Sequence, residues 1–89
     1  MITYIVTFDI KDPKRKEAFI AKLKEEYSWR PIHDNAYAVV TEKTSAELRL
    51  LLAKITVIAD PVFVIRTGRE AVWINTYSDK NSEWLKKYL

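Results

Sequence analysis

The stretch Met1–Ile10 sets the strongest limit on what this chain can become. Ile2, Tyr4, Val6 and Phe8 alternate with Thr3, Ile5 and Thr7, the period-2 pattern of a β-strand. The second set is apolar enough to be covered as well, so the strand belongs in the middle of a sheet. A central strand needs a neighbour on each side, and the rest of the chain has to supply both.

Those neighbours can be read in order. Asp12-Pro13 suits a helix N-cap and first helical position. Phe19, Ile20, Leu23 and Tyr27 recur at helical spacing, which predicts an amphipathic helix over Pro13–Tyr27. Trp29–His33 reads as a short strand that Pro31 confines to a sheet edge, because proline cannot donate to a ladder. His33-Asp34-Asn35 reads as a turn, and Ala36–Thr41 as a strand apolar on both faces, joined to the previous one as a hairpin. Thr44-x-x-Glu47 has the form of a capping box. Leu48, Leu51, Leu52 and Ile55, with Leu50 as an extra apolar residue, make the stripe of a second helix ending near Thr56. Beyond the Asp60-Pro61 turn, Val62–Ile65 is the next strand. Thr67-Gly68-Arg69 breaks it, with the single glycine where a positive φ is useful. Ala71–Ile74 reads as a fifth strand, and Ser82–Leu89 as a short helix pairing Trp84 with Tyr88 and Leu85 with Leu89.

The first six elements run strand, helix, strand, strand, helix, strand, the split βαββαβ or ferredoxin-like α+β arrangement. Right-handed crossovers set the first and third strands side by side in the centre and the Pro31 segment at an edge. That is the place Pro31 requires independently. The 89 residues suffice for one domain, with 1–67 as the expected core and 68–89 as an added strand and helix. Both long helices are expected on one sheet face, leaving an apolar second face for a partner. The break at Gly68 lets Ala71–Ile74 join a second chain's sheet, so an isologous homodimer is expected.

Composition narrows the function classes. Hydrophobic residues make up 48% of the chain, which excludes disorder. The lack of cysteine excludes disulfides and thiolate metal sites and suits a reducing cytoplasm. No apolar run reaches the length of a membrane span, and the first residues lack the pattern of a signal peptide, so a soluble cytoplasmic protein is expected. The net charge is +3, but the stretch 11–30 is crowded with Lys11, Lys14, Arg15, Lys16, Lys22, Lys24 and Arg30, interleaved with Asp12, Glu17, Glu25 and Glu26. Such a mixture is either a solvated helix face or a phosphate-contacting patch, and Lys11, Lys14, Arg15 and Lys16 are the candidates for the latter. There is no Gly-rich phosphate loop and no helix-turn-helix pattern. His33 is the sole histidine, cannot build a histidine metal cluster, and reads as a surface turn residue.

Asp9 ends the central strand on the side where open α/β sheets place their chemistry. Turning the chain or capping the next helix explains an aspartate there equally well. A hard cation such as Mg2+ takes one or two carboxylates together with water and substrate phosphate. Asp9 is the acid in the right setting, and it makes a metal site only when a two-fold axis supplies a second copy.

Phe8-Asp9-Ile10, the basic run Lys14-Arg15-Lys16 and the later Asp60-x-Val62-x-Val64 resemble the smaller subunit of the CRISPR adaptation complex and the related virulence-associated protein D family, over residues 1–75. The resemblance implies a ferredoxin-like dimer in which Asp9 of both chains flanks a Mg2+ ion as catalytic and metal-binding residue. It implies a phosphodiesterase acting on RNA or DNA, or a dimeric scaffold for a nucleic-acid integrase subunit. CRISPR members carry a Gln-x-Ser-Val-Phe/Tyr stretch near the second strand, where this chain has His33-Asp34-Asn35-Ala36-Tyr37. The tail Gly68-Arg69-Glu70-Ala71-Val72-Trp73 with Ser82-Glu83-Trp84-Leu85 is similar instead to small bacterial relatives labelled SinR-like. Two functions of different class follow: a metal-dependent endonuclease, and a non-catalytic dimeric scaffold binding nucleic acid or protein.

Overall fold

The computed structural model describes residues 1–68 and 79–88. Its elements are β1 (Ile2–Phe8), α1 (Pro13–Leu23), β2 (Ser28–His33), β3 (Ala36–Thr41), α2 (Ser45–Ala53), β4 (Val62–Arg66) and α3 (Asp79–Tyr88). The four strands form one sheet in the order β2-β3-β1-β4, and every neighbouring pair is antiparallel. β1 and β3 are therefore central and the proline-bearing β2 is an edge. Its ladder to β3 is irregular between Pro31 and His33, where the missing proline N–H interrupts the pairing.

Local chemistry starts the helices where expected. The Asp12 carboxylate accepts from the Arg15 N–H at 2.9 Å, and Pro13 takes the first helical position, whose N–H has no intrahelical partner anyway. Thr44 and Glu47 complete a reciprocal capping box at 3.2 Å in each direction. α1 ends earlier than its apolar spacing suggests. After Leu23 the chain tightens, with Glu25 and Glu26 donating to the carbonyls of Lys22 and Leu23. Glu26 then turns inward to Thr41 and Lys43, and Tyr27 is left exposed instead of buried. α2 likewise ends at Ala53, short of Thr56.

Phe19 and Leu23 of α1 and Leu48 and Leu52 of α2 pack on Tyr4, Val6 and Phe8 of β1 and Val39 of β3. Each such side chain, fully removed from water, contributes about 1.5–3 kcal/mol before the entropy of ordering is counted. Both helices lie on this one face. The opposite face is not open, contrary to the expectation from its apolar residues. α3 covers part of it, packing Trp84 and Leu85 against Ala38 and Val40, with Ile5, Ile32 and Tyr88 at the margin.

Hydrogen bonds to β1 and β2 fasten α3. Trp84 Nε1 donates to Ser28 Oγ at 2.8 Å, Asn81 Nδ2 to the Pro31 carbonyl at 2.9 Å, and Thr3 Oγ1 to the Tyr88 carbonyl at 3.0 Å. On the same face, the register pairs Thr7 with Phe63 and Ile5 with Ile65. Those two β4 side chains remain 63% and 52% exposed. The fifth strand expected at Ala71–Ile74, and the Leu89 half of the Leu85–Leu89 pair, lie outside the described residues. Among the described residues no helix is long and apolar enough to cross a membrane.

Candidate functional site

The backbone at Asp9 is held on all sides. Its neighbours Phe8 and Ile10 are both buried, because the strand alternation carries Phe8 into the core and the loop then dips Ile10 back into it. The Phe8 N–H bonds the Asn35 carbonyl and the Asp9 N–H the Pro61 carbonyl, each at 3.0 Å. The Asp9 carboxylate itself points to solvent and is 60% exposed; among the described residues its one ion pair is with the Lys11 ammonium at 3.8 Å. Capping of α1 falls to Asp12 and not to Asp9. The result is an acidic group on a fixed stalk at the C-terminal end of a central strand, without a hydrogen-bonding task of its own.

The basic residues that follow divide into two sets. Lys11 and Lys14 are exposed and Lys16 is half-buried on α1. Arg15 faces the other way. Its Nε donates to Asp60 Oδ2 at 2.6 Å and its Nη2 to Asp60 Oδ1 at 3.1 Å, with Asp12 a further 3.7 Å contact. Only 2% of the Asp60 side chain is exposed. The fork-on-carboxylate geometry with Arg15, reinforced by the Val57 N–H at 3.1 Å, holds the Asp60 carboxyl below the usual carboxylate range. The pair ties the start of α1 to the loop before β4, and that same loop supplies Pro61 as acceptor for Asp9. Arg15 is therefore a brace under the Asp9 rim, its Nε and Nη2 committed to Asp60.

Sequence reasoning took Asp60-Pro61 as a turn and missed this pairing. The two residues are 45 positions apart, and no spacing rule links them. The available signal was an arginine inside a basic run that also faces a fixed turn aspartate, which becomes legible only once β1 and β4 are known to be neighbours. His33 lies at the β2 end of the β2–β3 turn and is exposed, as a turn histidine should be. Nearby Tyr37 is pushed up by burial and, secondarily, by the Asp34 charge.

Among the described residues no three His, Cys, Asp or Glu side chains come together as a metal-binding group. Within one chain Asp9 is thus a single carboxylate, fewer ligands than a self-contained metal centre uses. No protein-family model and no curated protein matches the chain.

Proposed function

We propose that this chain is a ferredoxin-like βαββαβ protein of the CRISPR small-subunit and virulence-protein kind, in the SinR-like branch. In this reading it works in the cytoplasm as a homodimeric, magnesium-dependent phosphodiesterase on RNA or DNA. One observation carries it: the Asp9 carboxylate is exposed, rigidly mounted at the end of central β1, and free of any capping hydrogen bond. The element order and the central β3-β1 pair support the same fold.

A second copy, related by a two-fold axis, would bring a second Asp9 to the first. The two carboxylates then fit a hard cation that completes its shell with water and phosphate. Bound there, Mg2+ supplies charge neutralisation at a scissile phosphate and a lowered pKa for an attacking water. Asp9 orients that centre, while Lys11, Lys14 and Lys16 attract the phosphate backbone without reading sequence. Arg15 contributes from beneath, through Asp60.

A non-catalytic dimeric scaffold, serving an integrase subunit or another partner, is favoured by one contact. Lys11 already neutralises part of the Asp9 charge at 3.8 Å. Incubating purified protein with single-stranded RNA and with duplex DNA, in Mg2+ and in chelator, separates the two. Magnesium-dependent cleavage supports the enzyme; salt-sensitive binding without cleavage of either substrate assigns the scaffold.

A further inference from the structure

Ser45, Arg49 and Ala53 follow one another at i, i+4 spacing along the flank of α2 that faces β4. The short side chains of Ala46 and Ala53 do not fill the space toward the edge strand. Leu52, Val62 and Val64 therefore floor a groove of about 480 Å3 between helix and strand. This volume lies within the range of small-ligand sites, about 300–1,000 Å3.

Charge in the groove is unbalanced. Asp60 closes one end, but its charge is answered by Arg15, and both oxygens accept hydrogen bonds, from Arg15 and from the Val57 N–H. Glu47, the acid of the same helix, is engaged with the Thr44 N–H in the capping box. Arg49 lines the groove with no hydrogen bond or ion pair to any described residue. The lining thus offers one uncompensated cation beside an apolar floor.

We infer that this groove binds a small amphiphilic carboxylate, its hydrocarbon body on Leu52, Val62 and Val64 and its carboxylate forked by the Arg49 guanidinium. The planar guanidinium matches a carboxylate bidentately. One cation balances one monoanion, whereas a phosphate dianion would keep a net negative charge close to Asp60. Apolar burial and the ion pair act together, so neither a neutral alcohol nor a fully polar acid satisfies the site. The groove is built from α2, β4 and the loop between them, which supplies Thr56 and Asp60, and stands whatever chemistry Asp9 performs.

Octanoate and octan-1-ol are the probes, titrated into the 15N-labelled full chain while amide shifts are followed. Saturable shifts at Ala46, Arg49, Ala53, Val62 and Val64 are expected with octanoate, and octanol should bind roughly tenfold more weakly. Arg49→Gln, at an exposed position, should weaken octanoate roughly tenfold while leaving octanol unchanged. Ala53→Trp fills the groove and should remove both; Ala46→Phe gives the same test should that variant not fold. Absence of saturable shifts, shifts centred instead on Phe63 and Ile65, or equal octanoate affinity in wild type and Arg49→Gln would each overturn the assignment.

Discussion

Glu26 and Asp60 are carboxylates taken out of water, each answered by one cation. Burial pushes the Glu26 carboxyl up, but hydrogen bonds from Lys43 at 2.7 Å and Thr41 at 2.6 Å outweigh it and hold the group below its usual range. For Asp60 the Arg15 hydrogen bonds dominate in the same direction. Both groups therefore bind their protons less readily in the folded chain than in the unfolded one. The stability they contribute is complete above the ordinary carboxylate range and is lost as pH falls through the depressed folded values. Urea midpoints measured from pH 7 down to pH 3 should hold and then drop, and Glu26→Gln and Asp60→Asn should each flatten the drop. At neutral pH, Glu26→Ala should cost about 1–3 kcal/mol by leaving Lys43 and Thr41 without their acceptor. Asp9 behaves differently, because its ion pair with Lys11 is exposed and contributes less than about 1 kcal/mol. Asp9→Asn should leave the thermal midpoint in place and abolish magnesium-dependent cleavage. Equal cleavage by the variant would remove Asp9 from the catalytic role.

At the scale of elements, α3 has the most to reveal. Its indole both fills the second face over Ala38 and Val40 and donates to Ser28 on edge strand β2, so it joins packing to a buried hydrogen bond. Trp84→Ala should therefore lower the free energy of unfolding by about 3 kcal/mol, the usual cost of deleting a buried large aromatic. An unchanged denaturation midpoint would show α3 to be an appendage that detaches without loosening the sheet. Ser28→Ala, which orphans only the indole N–H, should cost about 1 kcal/mol and so divide the hydrogen-bond share from the packing share. The starts of α1 and α2 were legible from sequence because caps are local: Asp12-Pro13 and Thr44-x-x-Glu47 act within one turn, whereas α3 begins at Asp79, three residues before the expected Ser82. Helix ends were not. Tyr27 continues the apolar stripe of α1, yet the Glu26 bonds to Thr41 and Lys43 reach across 15 and 17 positions and draw the chain away before a further turn forms.

On the scale of the whole molecule, among the described residues the part of the second face over β4 is left uncovered by α3, and Phe63 and Ile65 stand exposed there beside Ile5 and Thr7. If this strip is the contact of the proposed homodimer, light scattering should give twice the chain mass of 10.5 kDa at micromolar concentration. Phe63→Glu with Ile65→Glu should then return the monomer, because two charges facing their own copies across a two-fold axis repel. A monomer mass for the wild-type chain would count directly against the dimer. What the sequence determined by itself was the four strands β1 to β4, the starts of α1 and α2, the central position of the first strand and the edge position of Pro31. Periodicity, capping and the missing proline N–H act over a few residues and need no tertiary context. The place of Asp9 at the end of the first strand was legible for the same reason, whereas its exposure and its freedom from capping α1 were not. Only the tertiary structure decided that Arg15 braces Asp60, that α3 closes part of the second face, and that Arg49 lines a groove with no ion pair to any described residue. Each of these depends on residues brought together through the strand order, and a charged or aromatic side chain meets the rule that governs it only when its distant partner is in place.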